Sequence, residues 1–230
     1  TATTEIYTLS LHDALPIFNV ARGEVVDENA LIDAAMLLRE NPVHQYLVGG
    51  VDEISVRNYR MEAMAGWYKK EPVANSELYE TDSEGTLPGE GAAMFLVNNK
   101  AEGAVAKLVA LKTLHTADVN VVLKQLKELM EGHQIDLLLS GESGDNRFKK
   151  FYTTCESQMS EQTTIARFKH AFGEFQTASA VALWFALHAL HLQKLPQHFI
   201  KREGLQPYKR ILIYNNYQGL QHSFMLLEKV

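Results

Sequence analysis

"RFKHAFGEFQTASAVALWFALHAL", residues 167–190, places Arg167, Lys169 and His170 ahead of a Gly173-Glu174 step and then runs apolar to its end. From Gln176 to about Leu192 the spacing predicts one helix. Leu183, Trp184, Phe185, Leu187 and Leu190 cover most of its circumference instead of one stripe. A helix apolar all round lies inside a protein. In a chain that alternates strands and helices, that predicts an α/β layered sandwich with buried central helices, packed between two sheets and not along one outer face. Glu174 stands at the threshold of this helix. The first turn of a helix exposes unpaired N–H groups and the positive end of its dipole, so an acid there is mildly stabilising.

Working outward, Asp27 is placed to cap a helix whose stripe is Ala30, Leu31, Ala34, Ala35 and Leu38. Asn41-Pro42 stops it, and "YLVGGVDEIS" (46–55) reads as a short apolar strand entering a glycine pair. Residues 57–86 form an irregular excursion with one helical piece. "GAAMFLV" and "AVAKLVALKTLH" flank turn-forming residues 98–103 and predict a hairpin. Val119 to Glu131 is an amphipathic helix with Val122, Leu126 and Leu129 on one side. The strand "IDLLLSG" follows, then a helix over about Arg147 to Gln158. "RILIYNN" and "SFMLLE" close the chain as paired strands.

With 230 residues, 46% hydrophobic and 22% charged, the composition is that of a globular protein with a sizeable core. The net charge of −6 argues against a nucleic-acid groove. The single cysteine, Cys155, cannot form an internal disulfide, which fits a cytoplasmic location. The longest stretch without formal charge, Phe175 to Leu192, carries Gln, Thr, Ser and two His, so no membrane span is expected. "TEIYTLSLHDALPI" (4–17) lacks the marks of a signal peptide and resembles translated sequencing adapter. Residues 1–18 are therefore set aside as a non-native segment, with the native domain running over 19–230.

Four stretches carry a resemblance: "LIDAAMLLRENPVHQYLVGGVDEIS", "LPGEGAAMFLV", "FKHAFGEFQTASAVALWFALHAL" and "ILIYNNYQGLQHSFMLLE". In this order they resemble the β-ketoacyl synthase family: the helix after its nucleophile, its Gly-Gly strand, its Gly-Glu-Gly-Ala strand, its Lys-to-Gly-His segment and its final glycine loop. The resemblance implies a thiolase-like fold, incomplete at its N-terminus. It also implies an acyl-carrier-protein partner, a dimer with a ketosynthase subunit or a second copy, and neither cofactor nor metal.

The departures bear on activity. Such enzymes use a cysteine thiolate as acyl acceptor and two histidines for decarboxylation and condensation. Counting back from Gly49-Gly50, the nucleophile's position is Glu24, and no cysteine or serine lies within 19–29. The first histidine loop maps to "LLLSGESGDN", with Gly141 at the histidine's place. Lys169 and Gly173 match the second histidine motif, and Glu174 takes the histidine's position. A carboxylate there would repel a developing oxyanion. The pattern therefore resembles a chain-length-factor-like member, or the synthase-like proteins of aryl-polyene and flexirubin-type pigment clusters. Its expected role is a non-catalytic partner of an active ketosynthase in fatty-acid or polyketide-type biosynthesis. One alternative is an active 3-oxoacyl synthase or malonyl decarboxylase using Glu24 and Glu174 as acid and base. Another is a serine hydrolase built on Ser143 in "GESGD", although Asp145 occupies the last glycine of a nucleophile elbow. His188 and His191 could meet a metal by spacing, but no third ligand is evident.

Overall fold

The computed structural model describes residues 4–7 and 26–230, with the side chains of 28–230. Its strands form one nine-stranded sheet in the order β2-β3-β1-β4-β9-β8-β5-β6-β7. These are β1 (Thr4–Tyr7), β2 (Tyr46–Asp52), β3 (Gly91–Asn98), β4 (Ala106–His115), β5 (Leu137–Ser140), β6 (Thr164–Arg167), β7 (Ile200–Arg202), β8 (Arg210–Tyr217) and β9 (Gln221–Lys229). Strand β5 runs parallel to both β6 and β8, and the other pairings are antiparallel. All four residues of β5 are buried, as expected for a strand paired on both edges and covered on both faces.

Helices cover both faces. On one lie α1 (Val26–Glu40) and α6 (Ala178–Leu192), sharing a core with Phe95, Leu139, Ile213 and Met225. On the other lie α3 (Val119–Met130) and α4 (Lys149–Glu156), packed on Leu138, Leu212, Tyr214 and Phe224. The alternation of strand side chains between the two cores follows from the two-residue strand period. Two short helices complete the set: α2 (Val56–Met64) and α5 (Lys169–Phe172).

The α6 pattern has the expected consequence. Eleven of its fifteen residues are buried. Among the described residues they are covered by a single sheet, by α1, and by Leu195, Phe199 and Tyr208 from the segment that follows, instead of by a second sheet. The amphipathic helix α3 buries Val122, Leu126 and Leu129 and is capped by Asp118, whose carboxylate accepts from the Asn120 N–H at 2.8 Å.

Two expectations need correction. Strands β3 and β4 are not a hairpin, because β1 lies between them, pairing with β3 through Ile6 and Val97 and with β4 through Ile6 and Ala106. The connection at 99–105 is long enough to bridge two strand spacings of about 4.8 Å each. Helix α1 begins at Val26, so Asp27 stands inside its first turn, and the Asp27 side chain is outside the described residues. Strand β6, "TIAR", has no alternation, and its sequence pattern does not predict it. Within 1–18 only Thr4–Tyr7 are described, as β1.

Candidate functional site

The Gly173-Glu174 step is held by backbone geometry. Gly173 ends α5 with φ of +78°, its N–H donating to the Lys169 carbonyl at 2.8 Å. It also packs directly on a second glycine: a Cβ at 173 would lie 2.5 Å from Gly89 Cα. The Glu174 N–H donates to the Leu87 carbonyl (2.8 Å), and the Gly89 N–H donates to the Glu174 carbonyl (3.1 Å). Glu174 is thus stitched to residues 87–89 ahead of α6, whose first turn contains no acid. The helix-dipole expectation for Glu174 is replaced by an ion pair. Lys169 Nζ lies 2.5 Å from Glu174 Oε2, with the lysine fully buried and the glutamate side chain 12% exposed. Burial pushes Glu174 up and Lys169 down, and their mutual contact works against both shifts.

Glu174 forms part of the wall of a cavity of about 260 Å³. Asp52 and Glu53 enter from the end of β2, Met61 and Glu62 from α2, Trp67 and Tyr68 from the loop after it, and Gln218 from the β8–β9 turn. That three-residue turn (218–220) has positive φ at both Gln218 (52°) and Gly219 (72°), and the Leu220 N–H donates to the Tyr217 carbonyl at 3.2 Å. Gly219 packs against the Phe148 ring, where a Cβ would lie 2.5 Å from Cδ1. No lysine, arginine or histidine occurs among the described residues lining the cavity. The Tyr68 hydroxyl is pushed up to about 12 by burial first, then by the Glu62, Glu174 and Asp52 carboxylates.

The loop after β5 contributes Ser143 and Asp145. Asp145 is clasped by Arg147, whose Nε lies 3.0 and 3.1 Å from the two carboxylate oxygens and whose NH2 lies 2.6 Å from Oδ2. The same guanidinium lies over Trp67 at 4.8 Å and donates to the Gly66 carbonyl. Ser143 is buried, and its carbonyl accepts from the Thr86 hydroxyl at 2.5 Å. No histidine stands among the described residues that line the cavity with Ser143, and a hydrolase needs one beside its nucleophile.

Gly141 faces inward with no room for a side chain. A Cβ there would run into Asn215 Oδ1 and would lie 3.0 Å from the Tyr214 carbonyl oxygen and 3.2 Å from Asn215 Cα. The next residue, Glu142, is committed to a charge network: Lys201 Nζ at 2.6 Å, Arg167 at 3.4 Å, and through Lys201 to Glu156 at 2.8 Å. Arg167 also lies 3.7 Å over the Tyr79 ring. These contacts hold β5, β6 and β7 to α4 and commit Glu142 Oε2 to two cations.

The structure brings together Lys169, Glu174 and Ser143, and sets Gly141 at the end of β5 beside β8. Glu24 and the rest of 19–25 lie outside the described residues. Cys155 is buried, and burial pushes its thiol up to about 12, which fits a packed side chain and not a nucleophile. His188 packs edge-on against Trp184 at 4.2 Å, and no group of three or more potential metal ligands occurs among the described residues. Sequence reasoning missed Glu28. It lies in the first turns of α1, is wholly buried, and accepts from the Ser179 hydroxyl at 3.1 Å. An acid on the apolar side of an amphipathic helix was the available signal.

Comparison with known proteins yields no matching family model and no matching curated protein. Solved structures do match. A β-ketoacyl synthase from Burkholderia phymatum STM815 superposes with a TM-score of 0.69 at 14% identity, over 90% of this chain and 60% of that one. The ishigamide ketosynthase/chain length factor gives 0.70 at 14% identity, over 89% and 58%. A type II polyketide ketosynthase, solved in complex with its acyl-carrier protein, gives 0.69 at 12% identity, over 90% and 61%. The fold is thiolase-like, as in these ketosynthases. The chain spans about 60% of the length of the solved chains it matches. No helix among the described residues is long and apolar enough to cross a membrane.

Proposed function

We propose that this chain is a ketosynthase-like subunit that does not itself condense, and that it partners an active ketosynthase on acyl-carrier-protein substrates. The observation that carries this reading is the pair of occupied positions where imidazoles would be needed. At Gly141 the space for a side chain is filled by Asn215, and at Glu174 one carboxylate oxygen is held by Lys169. A condensing site needs hydrogen-bond donors aimed at an oxyanion. The described cavity wall has no histidine, lysine or arginine and carries the carboxylates of Asp52, Glu53, Glu62, Asp145 and Glu174. The resemblance to chain length factors and to pigment-cluster synthases supports a product among fatty-acid or polyketide chains of the aryl-polyene kind, made in the cytoplasm.

Pairing is supported by the sheet edge. Strand β2 is terminal, and its outer edge has no partner among the described residues. It contains no proline or lysine, the residues that commonly blunt an exposed edge. Leu47 and Val51 on β2 and Met94 on β3 are exposed on the sheet face opposite α1. A strand from a ketosynthase partner or a second copy would extend the sheet there.

The test is malonyl-carrier decarboxylation and condensation by the chain alone and with a co-expressed ketosynthase. Activity only with the partner, and no acyl group on this chain, is the expected result. Turnover by the isolated chain that disappears in Glu174→Ala would overturn it in favour of carboxylate acid–base chemistry. Labelling of Ser143 by a fluorophosphonate would overturn it in favour of a hydrolase.

A further inference from the structure

Behind the cavity wall, one cation lies near two acids and is paired with one of them. Glu28 from α1 and Lys169 from α5 are both fully buried, and Lys169 Nζ lies 2.5 Å from Glu174 Oε2. The groups facing Glu28 from the elements packed around it are Ser179 of α6, Ser223 of β9 and the Lys169 ammonium. On the cavity side Glu174 also feels Asp145, which Arg147 already neutralises. Among the described residues the cluster therefore contains one unshared positive charge and two carboxyl groups. An unpaired carboxylate buried in such a setting is costly, so the more stable state keeps one carboxyl neutral.

Geometry decides which one. Glu174 holds the ammonium at ion-pair distance. Glu28 instead accepts from the Ser179 hydroxyl at 3.1 Å through Oε2, while its Oε1 is buried without a partner. The neighbouring Ser223 Oγ is likewise buried without a partner. Glu28 makes no ion pair among the described residues, so a proton on it removes a buried charge that no cation meets at contact distance.

We infer that Glu28 stores a proton at neutral pH as a buried carboxylic acid, and that this proton leaves Lys169 to Glu174. Burial acts in the same direction, raising the Glu28 carboxyl against the opposing pull of Ser223, its own backbone N–H, Ser179 and Lys169. The inference is independent of whether the chain condenses, decarboxylates or only pairs. Its consequence for the cavity is that the Glu174 carboxylate stays neutralised. Loss of the Glu28 proton would set two carboxylates competing for one ammonium.

Infrared spectroscopy of the full chain tests this. Wild type at pH 7 is expected to show a solvent-shielded protonated-carboxyl C=O stretch that is absent in Glu28→Gln. The same band is expected to vanish in Glu174→Gln, because Lys169 is then left with Glu28 alone and draws it into the ionised form. The amide introduced by Glu28→Gln mimics the neutral acid, accepting from Ser179 and donating to Ser223, so that variant should melt within about 2 °C of wild type at pH 5. No band in wild type would overturn the inference, and so would a band that survives Glu28→Gln. A Glu28→Gln protein that fails to fold would also overturn it, since the charge would then be required.

Discussion

Gly141 is a single position where the packing leaves no room for a side chain. Its missing side chain leaves space that the Asn215 amide fills, and the Tyr214 carbonyl 3.0 Å from a Cβ leaves no slack behind it. Gly141→Ala is expected to cost about 1–3 kcal/mol, the usual penalty for overpacking, read as a lowered melting temperature. Adding Asn215→Ala should recover part of that loss, because the first atom in the way is removed. Gly141→His should restore no condensation. His222 makes the second prediction at this scale. Its Nδ1 accepts from the Tyr214 hydroxyl and the Asn216 amide, both at 2.9 Å, and its Nε2–H donates to the Thr116 carbonyl at 2.9 Å. Only the neutral ring can do all three. Burial lowers its pKa to about 4. The unfolded chain, with an ordinary histidine value near 6.5, then binds the extra proton first. Stability from this site is complete above about pH 6.5 and falls as pH drops toward 4, by roughly 3 kcal/mol in all. His222→Gln, followed by thermal melts across that range, should remove this part of the slope.

Among the elements, the link from α5 to α6 is the most constrained. Gly173 combines a positive φ with contact against Gly89, where a Cβ would lie 2.5 Å from Gly89 Cα. Gly173→Ala is expected to cost at least ~2 kcal/mol, as left-handed strain adds to the clash, and to loosen the Lys169–Glu174 pair with it. Chemical denaturation would measure the first effect. The buried-helix reading of α6 was legible because side chains on every side of a helix leave no face for water. The α3 stripe was legible because Val122, Leu126 and Leu129 repeat at helical spacing. The position of Glu174 was legible as a helix threshold, but its partner was not. The Lys169 contact depends on Gly173 turning the chain back, and the stitching to 87–89 comes from a segment some 85 residues earlier. Strand order was illegible for the same reason: local patterns suggest that β3 and β4 would pair, while β1 takes the place between them. Glu28 was passed over because a five-residue apolar stripe outweighed one acid beside it.

At the scale of the whole molecule, the two ends of the sheet differ. Beside β7 the chain is crowded with charge, as Arg167, Lys201, Glu142 and Glu156 form one network. Beside β2 the outer face offers Leu47, Val51 and Met94, with Gly49 between them in register with Met94. A sheet edge without a partner among the described residues, and with an apolar face beside it, can take on another strand. Self-association through β2 would pair backbone N–H and C=O groups and remove these side chains from water together. Val51→Lys places a charge on that face without touching the core behind it, since Val51 is 65% exposed. The expected result is a shift from dimer to monomer in sedimentation, by tenfold or more in dissociation constant, with an unchanged melting temperature for the monomer. Leu192→Lys changes a similarly exposed apolar residue at the end of α6 and should leave the association state as it is. A dimer indifferent to Val51→Lys but broken by Leu192→Lys would move the interface from the sheet edge to the exposed end of the buried helix.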